Sequence, residues 1–183
     1  MGVVGAVLKL SHYCTVVNSA RRKESAKFSQ RSIMRFLSRT PVRTFIVYPI
    51  VTLLWELVTR GDRLIVNPWF LPLMIWGYLQ YRLCGRYRLR IGGGGPGLER
   101  PPAELVSTGP YAYTRNPMYL GHLIFLTGLT FTFQSWLAGL ITIVVALWFH
   151  TRVLKDEKKL IQVLGPPYEN YLARVKRWIP GLV

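Results

Sequence analysis

Apolar residues in this chain fall into long runs, and nearly all of the charge lies between the runs. The first run, 44–58, is bounded by Arg43 and Arg60. Counted from Val42 it is about long enough to cross a bilayer, which takes roughly 20 helical residues. Pro49 predicts a kink in it, and Glu56 near its end is expected to pair with Arg60 or reach the interface. Gly61 and Asp62 predict a tight turn. The second run, 64–83, is interrupted by Pro68 and Pro72, and its Trp69, Trp76, Tyr78 and Tyr81 suit interfacial or helix-packing positions. The third and fourth runs, 119–133 and 136–149, are separated by Gln134 and Ser135 alone, which predicts a tight helical hairpin. Extending them to Asn116 and Arg152 restores crossing length. Gly121, Gly128 and Gly139 would let helices approach closely. The expected fold is all-α: a polytopic membrane helical bundle of about four transmembrane helices, near 42–58, 64–83, 116–133 and 136–152. Residues 41–183 form one domain in this reading, behind a basic N-terminal segment, 1–40.

The polar segments refine this picture. Residues 1–17 are partly apolar, but Lys9 and His12 interrupt them, and no signal-peptide cleavage pattern follows. Gly2 is present, yet Ala6 stands where myristoylation prefers Ser or Thr. The stretch 18–43 is basic and Ser-rich; Ile33, Met34, Phe36 and Leu37 fit either a short interfacial helix or part of a disordered basic tail. The stretch 82–100 reads as a cationic loop. Its glycine run, Gly92 to Gly97 around Pro96, lacks the preceding strand, following helix and Lys-Ser/Thr of a phosphate cradle, and reads as a hinge. Beyond Arg152 the sequence predicts a charged continuation of the fourth helix, a break at Gly165, Pro166 and Pro167, and a short final helix. Leu160, Ile161 and Leu164 make an apolar stripe that could lie on the membrane or cover a ligand, while Arg174, Lys176, Arg177 and Trp178 read as an interfacial anchor.

Charge then sets orientation. There are 24 Lys and Arg against 8 Asp and Glu, a net charge of +16, although half the residues are hydrophobic and the mean hydropathy is +0.22. Long apolar runs between basic segments favour basic loops at anionic headgroups over a nucleic-acid-binding stripe. Arg60 and Arg63 fall in the first interhelical turn, and none of the bases in the second. The positive-inside rule therefore puts both termini and the central loop in the cytoplasm. Cys14 and Cys84 are isolated, so neither a disulfide framework nor a metal site is expected.

The segment 105–121, LVSTGPYAYTRNPMYLG, concentrates the chemistry. Ser107, Thr108, Gly109 and Pro110 form a turn cluster, Tyr111 and Tyr113 follow, and Arg115-Asn116-Pro117 is a helix start with Asn116 as N-cap. A cation, aromatic hydroxyls and the free N–H groups of a helix start meet where the chain enters an apolar phase. That suits a small charged ligand held at a membrane surface. Taken singly, the tyrosines read as an aromatic belt, Arg115-Asn116-Pro117 as capping, and Asp156-Glu157 among lysines as a solvated helix end.

GPYAYTRNPMYLG resembles the signature of the isoprenylcysteine carboxyl methyltransferase-like family of integral membrane methyltransferases, which takes in phospholipid methyltransferases and related thiol methyltransferases. A second block within 152–171, Asp156-Glu157 with Leu160, Gly165, Tyr168 and Tyr171, is similar to the family's acidic pair and its Gly…Tyr…Tyr tail. The resemblance runs from about residue 105 to the C-terminus. It implies S-adenosyl-L-methionine as cofactor and a lipid or lipidated acceptor: a prenylcysteine carboxylate, a phospholipid amine or a small thiol. It implies a cofactor site made by Leu105, Val106, Gly109, Tyr111, Arg115, Asn116, Pro117, Met118 and Tyr119, with Asp156 and Glu157 on the other side. Arg152 matches the position that faces the acceptor, and His122 and His150 are candidate bases for an amine or thiol. Asn116 stands where the carboxyl methyltransferases usually have His, and Asp156 where Glu is common. Two other classes stay open: a non-catalytic membrane scaffold binding anionic lipid, and an NADPH-dependent enzyme similar to the sterol reductases.

Overall fold

The computed structural model describes residues 39–61, 63–93 and 102–178. The expectations for residues 1–38, for Asp62 and for the glycine run beyond Gly93 lie outside the described residues. The chain divides into two compact units, 1–43 and 44–183. In the first, the described part includes a helical turn, Thr40–Val42. The geometry that follows belongs to the second.

Helix α1 (Tyr48–Arg60) follows a π-helical stretch, Arg43–Val47. Pro49 follows that stretch directly, with Val47 already helical at φ −67°, ψ −50°, so its missing N–H falls where the helical ladder changes from π to α. The winding changes from π to α at the position where the sequence predicts a kink. Helix α2 (Leu71–Gly92) starts later and ends later than the apolar run 64–83 suggests. Asn67 Oδ1 accepts the Trp69 N–H at 3.2 Å, and Pro68 opens a 3-10 turn, Pro68–Phe70. At the other end Arg82, Arg86, Arg88 and Arg90 are helical. The expected cationic loop is helix up to Gly92, because Leu and Arg are good helix formers and the chain meets no breaker before Gly93, at φ 62°.

Helices α3 (Pro117–Phe133) and α4 (Trp136–Leu164) form the expected hairpin. Gln134 turns it in the left-handed conformation, φ 45°, and the Ser135 hydroxyl accepts the Ala138 N–H at 3.3 Å. Gly165, φ 61°, ends α4 and starts α5 (Pro166–Arg174), as the sequence predicts. The described secondary structure is helical, with no strand among the described residues. The helical stretch Thr40–Arg60 and helix α4 are each long and apolar enough to cross a membrane, at 21 and 29 residues; α3 is apolar but shorter.

Packing is tightest between α2 and α3. A Cβ on Gly77 would lie 2.5 Å from the Phe125 amide nitrogen, and one on Gly121 would lie 2.8 Å from the Gly77 carbonyl. The two backbones therefore touch directly, which only glycine permits. Phe125, Leu126 and Leu129 of α3 pack with Ala138, Val145 and Phe149 of α4 to form the core. Helix α1 packs on this core through Tyr48 and meets the α3–α4 turn at its C-terminal end. Its Glu56 is 1% exposed and pairs with Arg60 Nε at 2.7 Å. Arg60 also donates to the Gln134 carbonyl at 2.9 Å, and Trp55 meets Trp136 edge to face. Outward-facing side chains are apolar: Leu54 and Val58 on α1, Ile143, Val144 and Leu147 on α4. The opposite end gathers the arginine half of α2, the start of α3, the charged half of α4, and α5.

Alanine at Gly77 or Gly121 is expected to destabilise the fold by about 1–3 kcal/mol, since the added methyl meets backbone that cannot rotate away. At Gly139 the nearest atom is a Thr130 methyl at 3.5 Å, so alanine there should be neutral or mildly stabilising. Unfolding midpoints of the three variants in detergent check this.

Candidate functional site

The segment 105–121 does not float over the bundle; it docks on α2. Val106 and Tyr111 bury against Cys84, with Tyr87 and Met118 packed around them. Tyr87 and Thr108 share a hydrogen bond, Oη to Oγ1, of 2.8 Å. Gly109 sits at φ 59° with the Tyr87 ring 2.8 Å from where a Cβ would be, so both backbone and space demand glycine. Tyr111 is buried and Tyr113 is 70% exposed. The 3-10 turn Gly109–Ala112 carries the first inward, and the second points away. Tyr171 of α5 donates its hydroxyl to the Tyr111 carbonyl at 2.6 Å. Burial pushes the hydroxyls of Tyr111, Tyr168 and Tyr171 well above the usual tyrosine range, so all three remain neutral donors at physiological pH.

Asn116 stands at the N-cap position of α3, as read from the sequence, but its side chain makes no cap bond. Its Nδ2 donates instead to the Arg177 carbonyl at 3.1 Å. Thr114 Oγ1 donates to the same carbonyl at 3.1 Å, and the Arg115 N–H donates to the Lys176 carbonyl at 3.0 Å. The chain after α5 thus lies along the start of α3.

The acidic pair comes from the other side, on α4. Tyr119 donates its hydroxyl to Asp156 Oδ2 at 3.3 Å, and Arg152 Nε lies 3.8 Å from the same oxygen. The Arg152 guanidinium also sits over the Trp148 ring, 5.2 Å from its centre. Glu157 is buried, and Arg177 binds both of its oxygens at 2.9–3.3 Å. Arg115 Nη2 is 3.5 Å from Glu157 Oε1. The hydrogen bonds that Arg177 donates to Glu157 raise its pKa further, so this guanidinium is permanently charged.

The structure therefore brings Arg115, Asn116 and Tyr119 together with Arg152, Asp156 and Glu157, some forty positions apart in sequence. Val106, Gly109, Tyr111 and Met118 pack on Cys84 and Tyr87 of α2, with Leu105 half-buried beside Val106 and Pro117 buried at the start of α3. His122 lies deeper. Its ring stacks on Phe45 at 4.8 Å and packs on Tyr81 and Phe149, and its Nδ1 is buried without a hydrogen-bond partner. The Tyr119 ring packs on the same Phe149, with centroids 4.6 Å apart. His150 accepts the Trp178 Nε1–H at Nδ1. Arg177 and Trp178 are thus not an interfacial anchor: one turns in to a buried carboxylate and the other packs against the core. From the sequence, Thr114 is not singled out, and Arg177 is given no part in the site. A threonine before an arginine, and one more arginine in a basic tail, carry no signal of their partners.

The arrangement suits a ligand carrying both charges and hydroxyls. Asp156 keeps lone pairs beyond its Tyr119 bond, able to accept from hydroxyls or an ammonium. Arg115 Nε is buried without a partner, an unfilled donor for a carboxylate. Residues 94–164, which contain this arrangement from the start of the loop to the end of α4, match the phospholipid methyltransferase family.

That segment is similar to the phospholipid methyltransferases.

Part of the chain is also 32% identical, over 77 residues, to the protein-S-isoprenylcysteine O-methyltransferase of Schizosaccharomyces pombe, covering 42% of this chain and 33% of that protein. It is 31% identical, over 84 residues, to the nickel-cobalt-cadmium resistance protein NccN of Alcaligenes xylosoxydans xylosoxydans, covering 45% of this chain and 39% of that one. The chain thus matches between a third and two-fifths of the length of these relatives. The methyltransferase-family segment ends with α4, so α5 and its bond to Tyr111 lie outside it.

Tyr171→Phe tests that bond. It leaves the buried Tyr111 carbonyl without a partner, and is expected to cost about 1–3 kcal/mol of stability at neutral pH. The raised tyrosine pKa values also predict that stability falls as pH rises past about 10, where the unfolded chain loses phenolic protons that the folded chain keeps. Tyrosinate absorbance and unfolding midpoints measured together across that range check the direction.

Proposed function

We propose that this chain is an integral membrane methyltransferase that uses S-adenosyl-L-methionine to methylate a lipid-soluble acceptor at the cytoplasmic face. The observation that carries the reading is the double contact between the two motifs: Arg115 with Glu157, and Tyr119 with Asp156. When bound, the cofactor supplies an electrophilic methyl on a sulfonium. Arg115 holds a carboxylate with its spare Nε. Asp156, aligned by Tyr119, accepts hydroxyls or an ammonium. Leu105, Val106, Tyr111 and Met118 would supply an apolar wall, which favours a displacement that disperses positive charge. Most of the rate then comes from alignment of nucleophile and methyl.

Arg152, on the face of α4 that carries Asp156, is assigned to the acceptor. Its charge favours an anionic one, such as a prenylcysteine carboxylate, which needs no base. A phospholipid amine or a thiol must lose a proton, and the buried Nδ1 of His122 is the nitrogen we assign to that case. The fold reading that goes with this is four crossings, with both termini and the site in the cytoplasm, supported by the arginines of α2 and the bases of α4 at one end of the bundle.

Calorimetry with S-adenosylhomocysteine on the full chain in detergent is the test. Asp156→Asn and Arg115→Met should each weaken binding by about tenfold or more, the loss of one charged hydrogen bond. Undiminished affinity in both variants would refute the site. Absence of affinity in the wild type, with vesicle binding that falls as salt rises, would instead favour a scaffold on anionic lipid. Methyl transfer to one fraction of a membrane lipid extract, read as a mass gain of one methyl group, identifies the acceptor class.

A further inference from the structure

We propose that Arg177 is a positioning residue for this site: it holds Glu157 and the start of α3 in register without touching substrate. The inference rests on the transferase reading above. It follows from one residue touching both motifs. The Arg177 carbonyl accepts from Thr114 Oγ1 and Asn116 Nδ2, each at 3.1 Å, while its guanidinium takes both oxygens of Glu157. Its neighbours strengthen the attachment, through the Arg115 N–H on the Lys176 carbonyl and Trp178 on His150.

The packing of α3 on α4 fixes two helix axes, but it does not fix the rotamer of Glu157, a side chain with three torsions. A two-point contact with a planar guanidinium does fix it. The same contact decides what Arg115 can do. With Arg177 on both carboxylate oxygens, Arg115 keeps a longer 3.5 Å contact through Nη2, and its Nε stays without a partner. Remove Arg177, and the carboxylate is drawn fully to Arg115, which closes over the donor that the ligand needs. The Glu157 and Arg177 side chains are 10% and 22% exposed, so water competes poorly for either.

The experiment compares S-adenosylhomocysteine affinity and thermal unfolding for the full chain in detergent. Arg177→Met should weaken binding by about tenfold, as loss of a contact behind the binding residues typically does. Arg177→Lys, which keeps charge and should keep the fold, should also bind weakly, because an ammonium cannot hold both oxygens. On a Glu157→Gln background Arg177→Met should add little further loss. Wild-type affinity in Arg177→Lys overturns the proposal. So does an equal loss from Arg177→Met with and without Glu157→Gln, which would mark a role apart from Glu157. If the wild type itself fails to bind, the transferase reading falls and takes this inference with it; if the wild type binds and the Arg177 variants match it, this inference alone falls.

Discussion

A buried carboxylate between two guanidinium groups is the interaction on which the rest of the molecule depends. Glu157 sits in a setting where an unpaired charge would cost several kcal/mol. Arg115 reaches it from the loop before α3, and Arg177 from the chain after α5. Three stretches far apart in sequence are thereby tied at one point. With two guanidinium groups to one carboxylate, that triad carries a net positive charge.

The glycine contact between α2 and α3 does the complementary work in the apolar part of the molecule. Because Gly77 and Gly121 let the backbones touch, the far end of α2 emerges directly beneath the loop. Its Cys84 and Tyr87 then supply the floor on which Val106 and Tyr111 rest. At the other end, Glu56 and Arg60 solve the same problem of a buried charge with an ion pair that also fastens α1 to the hairpin turn. Ion pairs are thus found towards the two ends, and the middle is mainly apolar, with His122 and a few threonines buried in it.

What could be read from the chain alone follows from what a linear pattern can carry. The α3–α4 hairpin, the start of α3 at Asn116 and Pro117, and the break at Gly165 are local events, announced by residues with fixed conformational habits. The end of α2 was misplaced because hydropathy falls at Arg82 while helix propensity does not. Partnership was beyond reach. Asn116 looks like a cap and serves as a clamp; Tyr111 and Tyr113 look alike, and one is buried while the other is exposed. Arg177 looks like its basic neighbours and alone among them grips Glu157 by two points. Each of these depends on which residue lies opposite in space, and no local spacing encodes that.

The unbroken run of α4 has a mechanical side. Twenty residues separate Trp136 from Asp156, a rise of roughly 30 Å, about the thickness of a bilayer's hydrocarbon layer. Set across a bilayer, a rod of that length would act as a depth gauge. Were its first tryptophan seated at one boundary and the helix upright, the acidic pair would emerge at the other; tilting the rod, or thickening the lipid, would draw those carboxylates toward the oil.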